Sequence, residues 1–141
     1  MEPSGISVVI PIKNEATKLA QCIEGILNQS VEVKKIVVID SGSTDGSQAI
    51  ARRYSKVQLL EIPAAEFNHG ETRNLGVGEC NTEFVVMTVG DARPVSDQWL
   101  SELLKPMADP DVMAVSGAQV VEHSPETNPA EWFRPVNEPR V

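Results

Sequence analysis

Ile36-Val37-Val38-Ile39-Asp40-Ser41-Gly42-Ser43-Thr44-Asp45-Gly46-Ser47 is the stretch that decides the fold. Its first four residues are β-branched and continuously apolar, the pattern of a strand covered on both faces, as in a parallel sheet. The run stops at an aspartate. Turn and N-cap residue types follow, leading towards a helix. An apolar strand, a polar loop and a helix make one β-α step, and the rest of the chain repeats it.

Upstream, Ile6–Ile10 reads as a strand of the same kind, and Leu19, Ile23, Ile26 and Leu27 recur at helical spacing with Asn28 as a C-terminal stop. Downstream, Ala49, Ile50 and Tyr54 give the second helix its apolar face, and Val57–Ile62 is a third strand. A helix over Glu71–Glu79 is weakened by Gly76 and Gly78, each costing about 1 kcal/mol relative to Ala. Phe84–Val89 is a fourth strand, Asp97 caps a helix carrying Leu100, Leu103 and Leu104 that ends at Pro106, and Val112–Val121 is a looser fifth strand. This alternation predicts an α/β fold: an open, mostly parallel sheet with helices on both faces and right-handed crossovers. The α/β domain is expected over residues 1–122. Residues 123–141, with Pro125, Pro129, Pro135 and Pro139 and only Trp132 and Phe133 as large apolar anchors, are expected to form an irregular tail.

With 41% hydrophobic and 23% charged residues in 141, the chain has the balance of an ordinary globular domain, able to build one core without staples. Cys22 and Cys80 match no zinc or CxxC spacing, and Met1-Glu2-Pro3-Ser4 has neither a basic nor an apolar leader region. The expected setting is therefore reducing and cytoplasmic. No apolar run approaches the roughly 18 residues of a membrane span, so any association with the inner face of a membrane is expected to come through partners. The net charge of −8 argues against nucleic acid as a partner. A phosphate-bearing ligand would need a local cation, a helix N-terminus or a metal ion.

In an open parallel sheet, ligands bind outside the carboxyl ends of the strands. Pro11-Ile12-Lys13-Asn14-Glu15 follows the first strand, Asp40-Ser41-Gly42-Ser43 the second, and Gly90-Asp91-Ala92-Arg93 the fourth. Asp40 and Asp91 thus fall at two strand ends that share a crevice. Each carboxylate has a plain alternative: Asp40 and Asp45 cap the helix that follows, and Glu15 favours the dipole of its own helix. His69, alone in a glycine-containing turn, reads as a satisfied structural residue before it reads as a ligand. Gly76-Val77-Gly78 is too short a signal for a phosphate loop.

Four blocks in order, VVIPIKNEATKLAQCIEGILNQ, IVVIDSGSTDGS, FNHGETRNLG and FVVMTVGDARPVSDQWL, resemble the motifs of family 2 glycosyltransferases, whose fold is the Rossmann-like GT-A type. The FNHG-x-TRN block is similar to bacterial rhamnosyltransferase-like members. The resemblance implies an inverting transfer from a UDP- or dTDP-sugar to a saccharide or lipid-linked acceptor, assisted by Mg2+ or Mn2+, in polysaccharide assembly. It places Pro11 and Lys13 at the base pocket, Asp40 at the pyrimidine, Glu15, Ser41, Gly42 and Arg73 at the nucleotide and Asp91 on the metal.

The first acid of the family's DxD triplet is absent, because the triplet here is Val89-Gly90-Asp91. Either Asp91 holds the cation alone or metal affinity is weakened. No residue matches the family's catalytic base, which lies in a later acidic motif. The expectation is a chain truncated before the acceptor half, carrying the donor half only. Two other classes stay open: a non-catalytic nucleotide-sugar-binding module, and a Rossmann-like dinucleotide-binding protein, against which the missing G-x-G-x-x-G counts.

Overall fold

The computed structural model describes residues 5–119 of the chain. These fall into two compact units divided between Gln98 and Trp99. The expected boundary at residues 122/123 and the Pro-rich tail lie outside the described residues.

The first unit is a β-α repeat: β1 (Ile6–Ile12), α1 (Leu19–Leu27), β2 (Val33–Asp40), α2 (Ser47–Ala51), β3 (Val57–Glu61), a 3-10 turn (Ala64–Glu66), α3 (His69–Gly78) and β4 (Phe84–Met87). The four strands form one sheet in the order β3-β2-β1-β4, and every pairing is parallel. The first three strands step one way across the sheet. The chain then crosses back over to β4, so the order reverses beside β1. That reversal is the topological switch point at which open α/β sheets hold ligands.

β1 and β2 are longer than their apolar runs predict, because the pairing continues through Pro11↔Ile39 and Ile12↔Asp40. Pro11, which has no N–H, is tolerated there because it lies beyond Val9↔Met87, the last pair with β4. β4 is shorter than the predicted Phe84–Val89: Thr88 still donates its N–H to Val9 O, but Val89 has left the ladder.

The core is continuous on both faces of the sheet. Val9, Val37 and Ile39 are buried and gather Leu60, Ile62, Val77 and Val85 around them. Their alternates Val8, Ile10, Ile36 and Val38 are fully buried as well, which the period-two geometry assigns to the opposite face. Leu19, Ile23 and Ile26 of the expected stripe on α1 are buried together with Cys22, Leu27 is half-buried, and Asn28 is the C-cap. The face predicted for α2 is corrected. Ser47 and Ala51 point inward, Ala49 is exposed, and Tyr54 lies past the helix end, donating its hydroxyl to Glu24 Oε1.

α3 forms in spite of its glycines and starts earlier than expected. Asn68 caps it, its Oδ1 accepting from Gly70 N and Glu71 N. Gly76 is required by packing: a Cβ there would lie 2.5 Å from Val9 Cγ1 and 2.8 Å from Ile39 Cδ1. The helix propensity lost at this position is exchanged for close approach of helix to sheet.

The second unit contains α4 (Trp99–Leu104) and a 3-10 turn (Lys105–Ala108) that accommodates Pro106 near its start. The expected fifth strand is not formed over residues 112–119, which have no regular secondary structure. Val120 and Val121 lie outside the described residues. No helix among the described residues is long and apolar enough to cross a membrane.

Candidate functional site

At the carboxyl ends of the strands a cleft of about 350 Å³ opens. Pro11, Ile12, Lys13 and Glu15 line it after β1, and Ser41 after β2. Ala64 and Phe67 reach it from the segment after β3, His69 and Arg73 from the first turns of α3, and Val89, Gly90 and Asp91 from the end of β4. The expected residues Pro11, Lys13, Glu15, Ser41, Arg73 and Asp91 are thereby brought together from four separate blocks. Gly42 does not line the cleft. It is exposed at φ +85°, a left-handed conformation suited to glycine, and a Cβ there would sit 3.3 Å from Ala64.

Asp40 lies beneath this surface, 1% exposed. Its Oδ2 accepts from Gly42 N at 3.2 Å, Ser43 N at 3.1 Å and Gln48 Nε2 at 2.9 Å. Asp40 Oδ1 is buried with no hydrogen-bond partner among the described residues. Both readings of this residue therefore apply, one to each oxygen: Oδ2 shapes the loop, and Oδ1 is an unmatched acceptor of the kind that costs about 1–3 kcal/mol when left unmade. Asp45 has only the plain role. Its Oδ1 accepts the N–H and hydroxyl of Ser47, and Oδ2 accepts Ala16 N at 2.9 Å.

The acidic side of the cleft is tightly built. A Cβ on Gly90 would lie 2.8 Å from Ile12 Cγ2 and 3.1 Å from Glu15 Cγ, so the strand end passes directly over the Glu15 side chain. Burial, and then the charge of Asp91, raise the Glu15 carboxyl above its ordinary value, with Lys18 opposing. Burial also pushes the Cys22 thiol up to about 12, with Asp91 and Glu15 adding to it, and its Sγ is 3.5 Å from Val89 O. No group of three or more His, Cys, Asp or Glu gathers as a metal cage among the described residues. The Glu15 and Asp91 pair nevertheless suits Mg2+ or Mn2+, which is commonly held by one or two carboxylates together with substrate phosphates. The charge Asp91 imposes on Glu15 is one that a cation would relieve.

On the other side, Arg73 donates from Nη1 to His69 O at 2.9 Å and lies 3.4 Å from His69 Nδ1. The His69 ring meets Phe67 edge to face, with centroids 5.0 Å apart and planes at 77°. His69 has the partners expected of a satisfied structural residue, and it is also exposed and lines the cleft. Phe67 and Ala64 escape a sequence reading that looks for charge. The signal that could find Phe67 is its place in the FNHG block, directly before the Asn68 cap.

Fold and cleft together define an α/β domain that takes its ligand at the switch point of a parallel sheet. The glycosyl transferase family 2 model matches residues 7–138, and the chain belongs to that family. It is 29% identical over 116 residues to the O-antigen chain rhamnosyltransferase RfbN of Salmonella typhimurium, covering 82% of this chain and 37% of that protein. It is 31% identical over 125 residues to the O-antigen chain rhamnosyltransferase WbaN of Salmonella anatum, covering 87% and 39%. Among solved structures, the mannosyltransferase PcManGT from Pyrobaculum calidifontis, in complex with GDP-Man and Mn2+, superposes with a TM-score of 0.70 at 26% identity, over 90% of this chain and 37% of that one. The chain therefore spans less than two-fifths of the length of these relatives.

Proposed function

We propose that the cleft binds a nucleoside-diphosphate sugar and serves glycosyl transfer to an acceptor hydroxyl with inversion at the anomeric carbon. The observation that carries this reading is the convergence of Lys13, Arg73, Glu15 and Asp91 on one cleft, with buried Asp40, which does not line it, directly before the lining residue Ser41. An acceptor oxygen held in a dry site seeks an N–H, and a nucleobase edge supplies one. Lys13 and Arg73 bring positive charge to a diphosphate in a chain whose net charge is −8. Asp91, with Glu15 beside it, would hold Mg2+ or Mn2+, whose chemistry when bound is to neutralise charge developing on the departing diphosphate. The donor in this reading is a UDP- or dTDP-sugar. The acceptor is a saccharide or a lipid-linked saccharide, and the place of action is the cytoplasm or the inner face of a membrane.

In the transfer, the acceptor oxygen forms its bond to the anomeric carbon as the bond to the diphosphate breaks, and the hydroxyl proton passes to a base. None of the described residues is assigned as that base. Calorimetric titration with UDP, dTDP and GDP tests the donor site. At least one of the three should bind more tightly with Mn2+ than with EDTA, and Asp91→Ala should remove the difference. Binding indifferent to metal and to Asp91→Ala would sink the assignment.

A further inference from the structure

The cleft has two chemically different flanks. In the sheet order β3-β2-β1-β4, Glu15, Gly90 and Asp91 lie at the β1 and β4 ends, and Ala64 and Phe67 follow β3. The first flank is acidic. The second is aromatic and carries a guanidinium: Phe67 and His69 line it with Arg73, whose Nη1 donates to His69 O, and Ala64 is packed against Gly42 next to the β2 loop that Asp40 shapes. Phe67 is 38% exposed although it is a large apolar residue. An edge-to-face contact with His69 occupies at most one face of one ring, so the pair leaves flat aromatic surface open to the cleft. The ring is also held in place. Asn68 caps α3 immediately after it, and Asn68 N donates to Thr72 Oγ1 at 3.1 Å.

We infer that Phe67 is the residue on which the nucleobase stacks, so that the aromatic flank takes the base and the acidic flank the metal-bound diphosphate. The inference rests on the donor-site reading and orients the ligand within it. A nucleoside diphosphate is itself two-ended, with a flat apolar ring and a dense anion. The open ring of Phe67 suits the flat end, while Arg73 and the acidic flank with its bound cation suit the anion. Stacking also tolerates any base, because every base presents a π-face, whereas a hydrogen bond to Asp40 Oδ1 selects among them. Phe67 thus supplies affinity for the base, and Asp40 its identity.

The test is titration of Phe67→Ala, Phe67→Leu and Phe67→Tyr with UDP, dTDP and GDP, each with Mn2+ and with EDTA. Phe67→Ala should weaken nucleotide binding roughly tenfold or more, the scale of one base on one ring. Phe67→Leu should weaken it less and Phe67→Tyr hardly at all. The ratio of affinities with Mn2+ and with EDTA should stay at the wild-type value, because the diphosphate end is untouched. Wild-type affinity in Phe67→Ala, or equal losses in the Ala and Tyr variants, would overturn the inference. So would collapse of the metal ratio, which would mark a general loosening of the cleft. Failure of the wild type to bind any nucleoside diphosphate would instead remove the donor-site reading on which this one stands.

Discussion

Asn14 Oδ1 accepts the backbone N–H of Thr44 at 2.8 Å, locking the loop after β1 to the loop after β2. The bond is returned three times. Ser43 Oγ accepts Asn14 N at 2.8 Å, Ser47 Oγ accepts Glu15 N at 2.9 Å, and Asp45 Oδ2 accepts Ala16 N at 2.9 Å. Three consecutive N–H groups ahead of α1, which have no partner within a helix, are thus satisfied by side chains from the next β-α loop. Lys13 and Glu15, on either side of Asn14, line the cleft. The interlock therefore fixes the direction of two site residues.

Asn14 is held at φ +54°, a left-handed conformation that asparagine tolerates better than most residues. Asn14→Ala should lower stability by roughly 2 kcal/mol, from a lost hydrogen bond and a methyl side chain in left-handed backbone. Asn14→Gly loses the same bond but adopts the conformation freely, so its loss should be smaller. Urea denaturation of the two variants checks the order. Ala no worse than Gly would show that the backbone conformation carries no strain.

The same loop sets an acid limit. Hydrogen bonds, first from Ser47 and then from Ala16 N, hold the Asp45 carboxyl below its ordinary value of 3.8. A group depressed in the fold stabilises above its unfolded value and loses that contribution as pH falls through the folded one. Asp45→Asn should therefore show a shallower loss of stability than the wild type below about pH 4, measured as thermal midpoint against pH. Parallel curves would show that Asp45 is not a linked group.

Gly76 and Gly78 separate packing from propensity within one helix. A Cβ at Gly78 meets nothing within 4 Å, whereas at Gly76 it would press on Val9 and Ile39. Gly78→Ala should stabilise by up to about 1 kcal/mol. Gly76→Ala should destabilise by about 1–3 kcal/mol through overpacking, despite the better helix former. Equal effects from the two substitutions would contradict the close approach of α3 to the sheet.

These glycines also mark where the sequence is readable. The strands were legible because Ile36–Ile39 is an uninterrupted apolar run and Ile6–Ile10 is broken only by Ser7, and all of these residues are buried. Their extra length was not, since Pro11 and Asp40 pair for reasons of register that no local pattern encodes. The weakness expected of α3 came from scoring Gly76 by propensity, when the surface it meets decides. On the site, the strand-end loops drew attention to Lys13, Asp40 and Asp91, whereas Arg73 entered only through the resemblance of the FNHG-x-TRN block. Phe67 stayed hidden because an aromatic residue in sequence reads first as core. Residues 112–119 misled for the opposite reason: Val112 and Val115 supply β propensity, but no strand forms there among the described residues.

Cys22 gives a prediction at alkaline pH. Its thiol rises in the fold from an ordinary 9.0 to about 12, chiefly through burial. The unfolded chain therefore ionises first, and the stabilisation present below pH 9.0 is lost as pH climbs towards about 12. At pH 8 the native thiol should resist iodoacetamide under conditions in which the urea-unfolded chain reacts at that residue. Rapid native labelling at Cys22, located by mass spectrometry, would contradict its burial beside Val89.

Val89 occupies the place of the acid that the metal triplet lacks, and the structure says what restoring it would do. The side chain lines the cleft and is 39% exposed, so a carboxylate there faces water rather than core. The main-chain carbonyl near Cys22 Sγ is unaffected by the change of side chain. Val89→Asp would set a second acid two residues from Asp91, on the flank where Glu15 already feels the charge of Asp91. Divalent-ion affinity follows the number of charged ligands, so Mn2+ should bind Val89→Asp roughly tenfold more tightly than wild type by electron paramagnetic resonance titration. Asp91→Ala in the same background should reverse the gain. If Val89→Asp leaves Mn2+ affinity unchanged, Asp91 does not hold the ion, because a carboxylate added beside a true ligand cannot be neutral to the cation it faces.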